Sequence, residues 1–536
     1  MPRFGPALSA ALRATSLESA RSKGGYDAIV IGSGATGGLA ALLLTEAGLR
    51  VLVLDAGVPR LPIRTFSRRF IHGAGRWLFG AAAPRILDHV LNSSVGRSVM
   101  ARRQPIQSKC YAWPLAPEQF VDDIDCPYIA PPDRPFIWLR SRQLGGRMVI
   151  PHHGRQYYRL AATDFAPTDG LSPVWPLRTG ELDQWYELVE GRLALSGSSE
   201  DIPWLPGSRL SHVLEFTSTE EALKRSIIAR WPNARVILGC TAPPLDSLEV
   251  AAWTGRLLVR RGAIARKIEV DNSGHVSGVV WIDHQSRTEI HSYAQLVFLC
   301  ASALESTRLL LLSRSSRNPD GLGARSGALG QNLMDHIRVR ASGLGASLLP
   351  EASTEVGRYL YLPRFDARAL LARSGRGFGV LFGQTSGTGE HSHFSATAFG
   401  EMLPRSQNRV MLDGDCRDAW GIPVLRIDCS HSNEDLVRGR EQVKALRELA
   451  EAVGVTLSRI EQVPAPPGST NHECGTARMG DTPSTSVLDP YNECWEAKGL
   501  YLTDGACWPS QSAQNPTLTL LALTARACDQ AVRKMR

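Results

Sequence analysis

Apolar residues first gather in Ala28-Ile29-Val30-Ile31, an unbroken, β-branched run of the kind found in a strand buried on both faces. Gly32-Ser33-Gly34-Ala35-Thr36-Gly37 follows, Gly38 to Gly48 reads as a helix, and a second run, Val51-Leu52-Val53-Leu54, ends on Asp55. The pattern predicts strand, glycine turn, helix and strand within about thirty residues, closed by an acid at the spacing of a dinucleotide site. Gly32 would permit the tight turn, Gly34 the approach of backbone to a pyrophosphate, and Gly37 close packing of helix on strand. The helix N-terminus would face the phosphates and Asp55 a ribose. Which dinucleotide is bound has to come from elsewhere in the chain.

Beyond Asp55 the periodicity fades. Val58 to Arg140 contains loop signals such as Pro127-Tyr128 and Pro131-Pro132, and is expected to be irregular, a lid or cover. A second glycine pair stands in Arg142-Gln143-Leu144-Gly145-Gly146-Arg147, readable as a backbone approach or as a plain turn. Helical spacing returns at Thr179 to Leu195, with Trp185 on the core side. Strands are expected at 234–238, 257–261, 263–270, 276–282 and 295–300, then a helix over 302–312. From about Ser342 to Val463 the pattern becomes strand-like (378–382, 394–399, 424–429) with one helix, 433–453. That predicts an antiparallel sheet with a helix.

Composition adds boundaries. With 536 residues, two domains or one elaborated domain are expected. The 43% hydrophobic and 21% charged content is that of a globular protein. The net charge of +8 comes from scattered arginines, which argues against a nucleic-acid partner and faintly for an anionic one. Ten cysteines without Cys-x-x-Cys spacing read as buried free thiols, suiting a cytoplasmic location. No apolar run reaches transmembrane length, and residues 1–24, with scattered Arg and Lys and no continuous apolar core, are not expected to be a secretory signal. Ala7 to Leu17 could form a short amphipathic helix, though a frayed extension is the expectation.

Candidate chemistry concentrates near the C-terminus. Asn471-His472-Glu473-Cys474-Gly475 sets a histidine among glycine turns, and Leu500 to Gly505 is a short strand ending in Asp504-Gly505. Asn515-Pro516-Thr517 opens a helix to about Val532 with strong start signals. Taken alone, His472 is equally a core histidine and Asn515 a helix cap.

Together these segments resemble the glucose–methanol–choline (GMC) family of flavin-dependent alcohol oxidoreductases. The resemblance runs from Tyr26 to the C-terminus. It rests on the first glycine turn, Arg142 to Arg147, Ala303 to Arg308, Asn332-Leu333-Met334-Asp335-His336, His472 to Gly480 and Asn515 to Thr519, in that order. It implies an α/β fold: a Rossmann-type FAD-binding domain interleaved with an α+β substrate-binding domain. The corresponding divisions are 1–24 (extension), 25–165, 234–341 and 466–536 (FAD-binding), and 166–233 and 342–465 (substrate-binding).

The implied cofactor is FAD. Gly32, Gly34, Gly37 and Asp55 would serve its ADP part; Arg142, Gly145, Gly146, Ala263, Ile264, Asp504, Gly505, Asn515, Pro516 and Thr517 would serve the rest. Ile150 stands where some members attach FAD to a histidine, so the flavin is expected to be non-covalent, with His152 or His153 open as ring-edge contacts. His472 matches the catalytic histidine and Asn515 the second active-site position. Pro135 to Trp138 and Gly400 to Pro404 are similar to bacterial members acting on sugars and glycosides.

The implied reaction is oxidation of a secondary alcohol by hydride transfer to flavin N5, His472 taking the proton. Asn515 would steady the oxygen, unless its side chain is held as a helix cap. A small-molecule alcohol or sugar is the implied substrate; oxygen, a quinone or a partner protein would take the electrons. A non-sugar alcohol, or a non-redox flavin lyase, is the alternative within the same fold.

Overall fold

The computed structural model describes the chain apart from residues 1–4, 15–24, 59–93, 151–155, 199, 201, 244, 347–357, 366–375 and 386–390. In chain order the elements that position the site begin with helix α1 (Pro6–Ala14), strand β1 (Ala28–Ile31), α2 (Ala35–Glu46) and β2 (Val51–Asp55). Then come α3 (Ser94–Arg103), α4 (Asp183–Leu193), β3 (Ile237–Leu238), α5 (Ser247–Trp253), β4 (Leu257–Arg261), β5 (Ala263–Val270), β6 (Val276–Asp283) and β7 (Glu289–Tyr293). β8 (Leu296–Leu299) and α6 (Ala303–Leu312) lead into β9 (His336–Ala346), β10 (Leu360–Leu362), β11 (Phe378–Thr385), β12 (His391–Glu401), β13 (Arg409–Arg417) and β14 (Pro423–Asp428). The last are α7 (Asn433–Ala452), β15 (Thr456–Ile460), β16 (Leu500–Leu502) and α8 (Thr517–Met535).

Two sheets organise the molecule. β16-β8-β1-β2-β4 is wholly parallel, and β1, β2, β8 and β16 are buried along their whole length, which explains their unbroken apolar text. The second sheet, β15-β9-β12-β11-β10-β3, is antiparallel. One of its faces (Val339, Ala341, Ala396, Ala398) packs on Val443, Leu446 and Leu449 of α7. That helix starts where Ser432 and Asp435 form a reciprocal capping box. The other face of the sheet is turned to a cavity. The sheet already opens at His336 and takes the short strand β3 at its edge, so stretches 234–341 and 342–465 both contribute to it.

Several expectations need correction. The frayed N-terminal extension fails between Pro6 and Ala14: the Glu249 carboxylate of α5 accepts from the first-turn N–H groups of Ala7 and Leu8, at 3.1 and 3.2 Å, and Leu8 is buried. The region from Val58 to Arg140 contains α3, whose sequence has little apolar periodicity. Its stretch 59–93 lies outside the described residues. The strand over 234–238 shrinks to Ile237–Leu238, and β7, β10, β13 and β15 were not marked by any pattern strong enough to predict them. The ten cysteines are unpaired; all but the half-buried Cys416 are buried.

Candidate active site

The two sheets flank a cavity of about 950 Å3. Its parallel-sheet wall is made of backbone. Gly32 has φ +91°, and a Cβ there would lie 2.4 Å from the Cys300 carbonyl oxygen. At Gly37 a Cβ would sit 2.0 Å from the Gly32 oxygen, so α2 lies against the turn with no room for a side chain. A Cβ on Gly34 would meet no protein atom within 4 Å and would project into open space.

The second glycine turn closes on the first. Gly145 and Gly146 have φ +86° and +58°, the Gly145 N–H donates to Ser33 Oγ at 2.9 Å, and a Gly146 Cβ would be 2.9 Å from Gly34 Cα. Asp55 Oδ2 accepts from the Ser33 N–H (3.1 Å) and hydroxyl, while Oδ1 accepts from Gly57 N–H at 2.7 Å. Ser33 thus ties the acid to both glycine turns.

Arg142 also lines the cavity, held by Glu305 at 3.2 Å, with one buried nitrogen, Nη1, lacking an acceptor among the described residues. Burial would raise the Glu305 carboxyl, but Arg308, Arg142 and Arg140 outweigh it and bring it to about 2. Asp504, buried and hydrogen-bonded by Ser306 and by Ala506 N–H, is pushed up to about 6 by desolvation. Ala263, Ile264, Gly505, Pro516 and Thr517 line the cavity, as do Gly32, Gly34, Asp55, Gly146, His472 and Asn515. Gly37 and Gly145 stand just behind it. His152 and His153 lie outside the described residues; Ile150 is buried with Cys110, Trp113 and Phe120.

These features fit FAD: a glycine-backbone cradle at a helix N-terminus without a side-chain cap, an acid beyond it, and beside them a buried arginine nitrogen with no acceptor among the described residues.

At the far end the chemistry-bearing side chains meet. The His472 loop is anchored by Asp335, whose carboxylate accepts from the N–H groups of Gly468 (2.7 Å), Thr470 (3.3 Å) and His472 (3.2 Å). His472 Nδ1 is 2.8 Å from His336 Nδ1, and His336 Nε2 is 2.6 Å from the Ser512 carbonyl oxygen. A carbonyl only accepts, so His336 carries its proton on Nε2. Burial lowers the His336 pKa against the opposing pull of Asp335 and Ser512, which keeps the ring neutral and makes Nδ1 an acceptor. His472 must therefore donate from Nδ1, which leaves Nε2 as the acceptor on the cavity side.

Asn515 sits beside that nitrogen. Its amide donates to Gln156 Oε1 at 2.8 Å and approaches His472 Nε2 at 3.3 Å. The helix-cap expectation for Asn515 is corrected here. α8 begins at Thr517 with no side-chain cap, and Leu520 N–H donates to the Pro516 carbonyl. Pro516, unable to donate, removes one of the N–H groups that would have called for a cap.

Sequence reasoning missed the roles of His336, Gln156 and Asp335. His336 and Asp335 stood within a recognised signature; their side-chain partners, Ser512 and residues 468–472, are too distant along the chain for any spacing rule to reveal.

A family model for GMC oxidoreductases matches residues 404–524. The chain is 26% identical to paromamine 6′-oxidase of Streptomyces fradiae, over 94% of this chain and 90% of that one. It is 30% identical to 2-methyl-1,2-propanediol dehydrogenase of Mycolicibacterium austroafricanum over 52% of this chain, a match that spans about half of that relative (54%). In fold it is similar to pyridoxine 4-oxidase from Mesorbium loti, with TM-score 0.58, 17% identity, and 94% and 98% of the two chains covered. With the ordered motifs, the paired sheets and the glycine cradle, these similarities agree: residues 404–524 match a GMC oxidoreductase, and the chain is an FAD-dependent alcohol oxidoreductase.

Proposed function

We propose that the cavity oxidises a ring hydroxyl of a sugar or glycoside to a ketone, with His472 as the general base. The hydrogen-bond chain from the Ser512 carbonyl through His336 to His472 carries the reading, because it leaves the Nε2 lone pair of His472 directed at the cavity. A base so placed removes the hydroxyl proton while the carbinol hydrogen departs, assistance worth roughly 10²–10⁴ in rate. The Asn515 N–H now aimed at His472 Nε2 is the donor that a substrate oxygen entering between them would receive.

Bound FAD supplies the hydride acceptor at its N5. Gly32, Gly34, Gly37 and Asp55 would hold its ADP part; Arg142, Gly145, Gly146, Ala263, Ile264, Asp504, Gly505, Asn515, Pro516 and Thr517 would hold the remainder non-covalently. The likeness to a paromamine 6′-oxidase supports a glycosidic alcohol. The likeness to a propanediol dehydrogenase supports a second reading, an acyclic diol.

The test is anaerobic mixing of the FAD-loaded protein with sugars, glycosides and simple diols. Bleaching of the flavin by one member names the substrate, and readmitted air separates oxygen from other acceptors. In His472→Ala the bleaching rate should fall by about 10²–10⁴ with FAD retained. An unchanged rate would remove His472 as the base, and a flavin oxidised throughout would favour a lyase.

A further inference from the structure

β9 places His336, Arg338, Arg340 and Ser342 at alternate positions, and so on one face of the antiparallel sheet. In the ladder with β12 these stand opposite Glu401, Phe399, Thr397 and Ser395. Arg338, Arg340, Ser342, Phe399, Thr397 and Ser395 all line the cavity. Arg459 of β15, paired with Ser342, lines it too, as does Lys109 from the loop above. Among the described residues, Arg338, Arg340, Arg459 and Lys109 thus line the cavity together with Glu461, and Asp335 adds a second negative charge felt by Arg338.

Arg338 is the informative member. Its side chain is 7% exposed and its Nη2 lies 3.4 Å from Glu461 Oε1. Its Nε and Nη1 are buried with no partner among the described residues. Glu461 is itself engaged elsewhere, since Oε2 accepts the Arg340 backbone N–H at 2.8 Å. The Arg340 guanidinium lies over the Tyr111 ring at 5.6 Å. Burial first, and Arg340 second, draw the Arg338 pKa down to about 10 against the opposing pull of Glu461 and Asp335. Nε–H and the Nη1 N–H groups, on different sides of the buried guanidinium, lack an acceptor, and an oxyanion is an acceptor that a guanidinium suits. The phosphate cradle at Gly34 and Gly146 lies on the other wall, so this row is separate from it.

We propose that the Arg338–Arg340 row binds an oxyanion carried by the substrate, so that the alcohol oxidised is a sugar acid or sugar phosphate rather than a neutral sugar. The inference rests on the reading above for the reacting carbon beside His472. At about 3.4 Å per residue, Arg338 and Arg340 lie about 7 and 14 Å along β9 from His336, so the anion sits on a part of the substrate remote from the reacting hydroxyl.

The experiment titrates the oxidised, FAD-loaded protein calorimetrically with D-glucuronate, D-glucose 6-phosphate and D-glucose at low salt, and follows flavin bleaching in the same mixtures. At least one anion should bind roughly 10- to 100-fold tighter than glucose, with an advantage that shrinks as salt rises. Arg338→Gln should remove the advantage and Arg338→Lys restore part of it; Arg340→Gln, altering a less buried side chain, is the second variant if Arg338→Gln does not fold. Glucuronate ahead of the phosphate identifies a carboxylate substrate, and the reverse order a phosphate. Equal or weaker binding of both anions, or an equal loss of glucose and anion binding in Arg338→Gln, overturns the proposal. Arginine-dependent anion binding with a flavin that never bleaches would instead retain the anion site and reject alcohol oxidation. Bleaching by glucose with no anion preference would do the opposite.

Discussion

On one wall of the cavity, β1, α2 and the Gly145-Gly146 turn present backbone, packed so closely that side chains are excluded. On the other, β9, β12 and β15 present side chains at alternate positions, and Arg338 has hydrogen-bonding capacity to spare. The first wall gains its function from what is missing at Gly32, Gly34 and Gly37; the second from what is added at His336, Arg338 and Arg340. A backbone wall suits a cofactor whose shape never changes. A side-chain wall can be altered residue by residue without disturbing the sheet, because the opposite face of β9 and the α7 packing stay as they are.

If the backbone wall works by exclusion, Gly37→Ala should have the largest effect. The added Cβ would fall 2.0 Å from the Gly32 oxygen and 3.2 Å from Cys300 Cβ, and a carbonyl within a tight turn cannot step aside as a flexible side-chain end can. The expected cost is roughly 3 kcal/mol or more, the upper end of overpacking effects. Thermal unfolding of the apoprotein would show it, together with loss of bound FAD. Unfolding unchanged from the parent would mean that the turn yields more readily than its packing suggests.

The contrast also explains what could be read from the chain. Gly32, Gly34, Gly37 and Asp55 were legible because a strand, its turn and its helix are contiguous, and the φ values and close approaches they serve arise within a few residues. The parallel strands were legible for a related reason: burial on both faces leaves unbroken apolar text. β9 carries alternating text whose second face is polar because it borders a cavity, and nothing local separates that from a solvent-facing strand. The role of His336 depends on Ser512 and His472, more than 130 residues away, and the unused N–H groups of Arg338 depend on where Glu461 and Arg340 already meet. Asn515 shows the same limit from the other side. Asn-Pro reads as a cap by its neighbours, yet Gln156 and His472, brought from far away, claim the side chain.

On the side-chain wall, His336→Phe should have an intermediate effect that splits cleanly between two measurements. Phenylalanine fills the ring's place but cannot accept from His472 Nδ1, so the proton on His472 is no longer confined to that nitrogen. Flavin reduction should slow by about 10- to 100-fold, the loss common for a residue that orients a working group, with little change in substrate affinity. The pH dependence of stability should change as well. The folded protein holds His336 below its ordinary pKa of 6.5, so below that value the unfolded chain takes up a proton that the folded one resists. This contribution is present above pH 6.5 and is lost as the pH falls toward the depressed value. In the phenylalanine variant that part of the curve should flatten. A slowed reaction with an unaltered stability profile would separate the positioning role from the burial that accounts for it here.

The smallest expected effect on the chain itself sharpens the comparison most, because it lies on the backbone wall and yet involves no clash. Gly34 has φ −66°, which an L-residue adopts readily, and its hypothetical Cβ meets nothing within 4 Å. Gly34→Ala should therefore change the unfolding free energy of the apoprotein by less than about 0.5 kcal/mol, the usual range for a substitution that disturbs no packing. The methyl group would nevertheless occupy the space in front of the α2 N-terminus that a pyrophosphate needs, so FAD affinity should drop while stability stays put. Titrating FAD into the apoprotein by fluorescence quenching, beside a thermal melt, distinguishes the two. Loss of both would make Gly34 another packing glycine like Gly37. Loss of affinity alone would make it the point at which the backbone wall meets its ligand, and the open volume beside its Cα would then be cofactor space rather than a defect in packing.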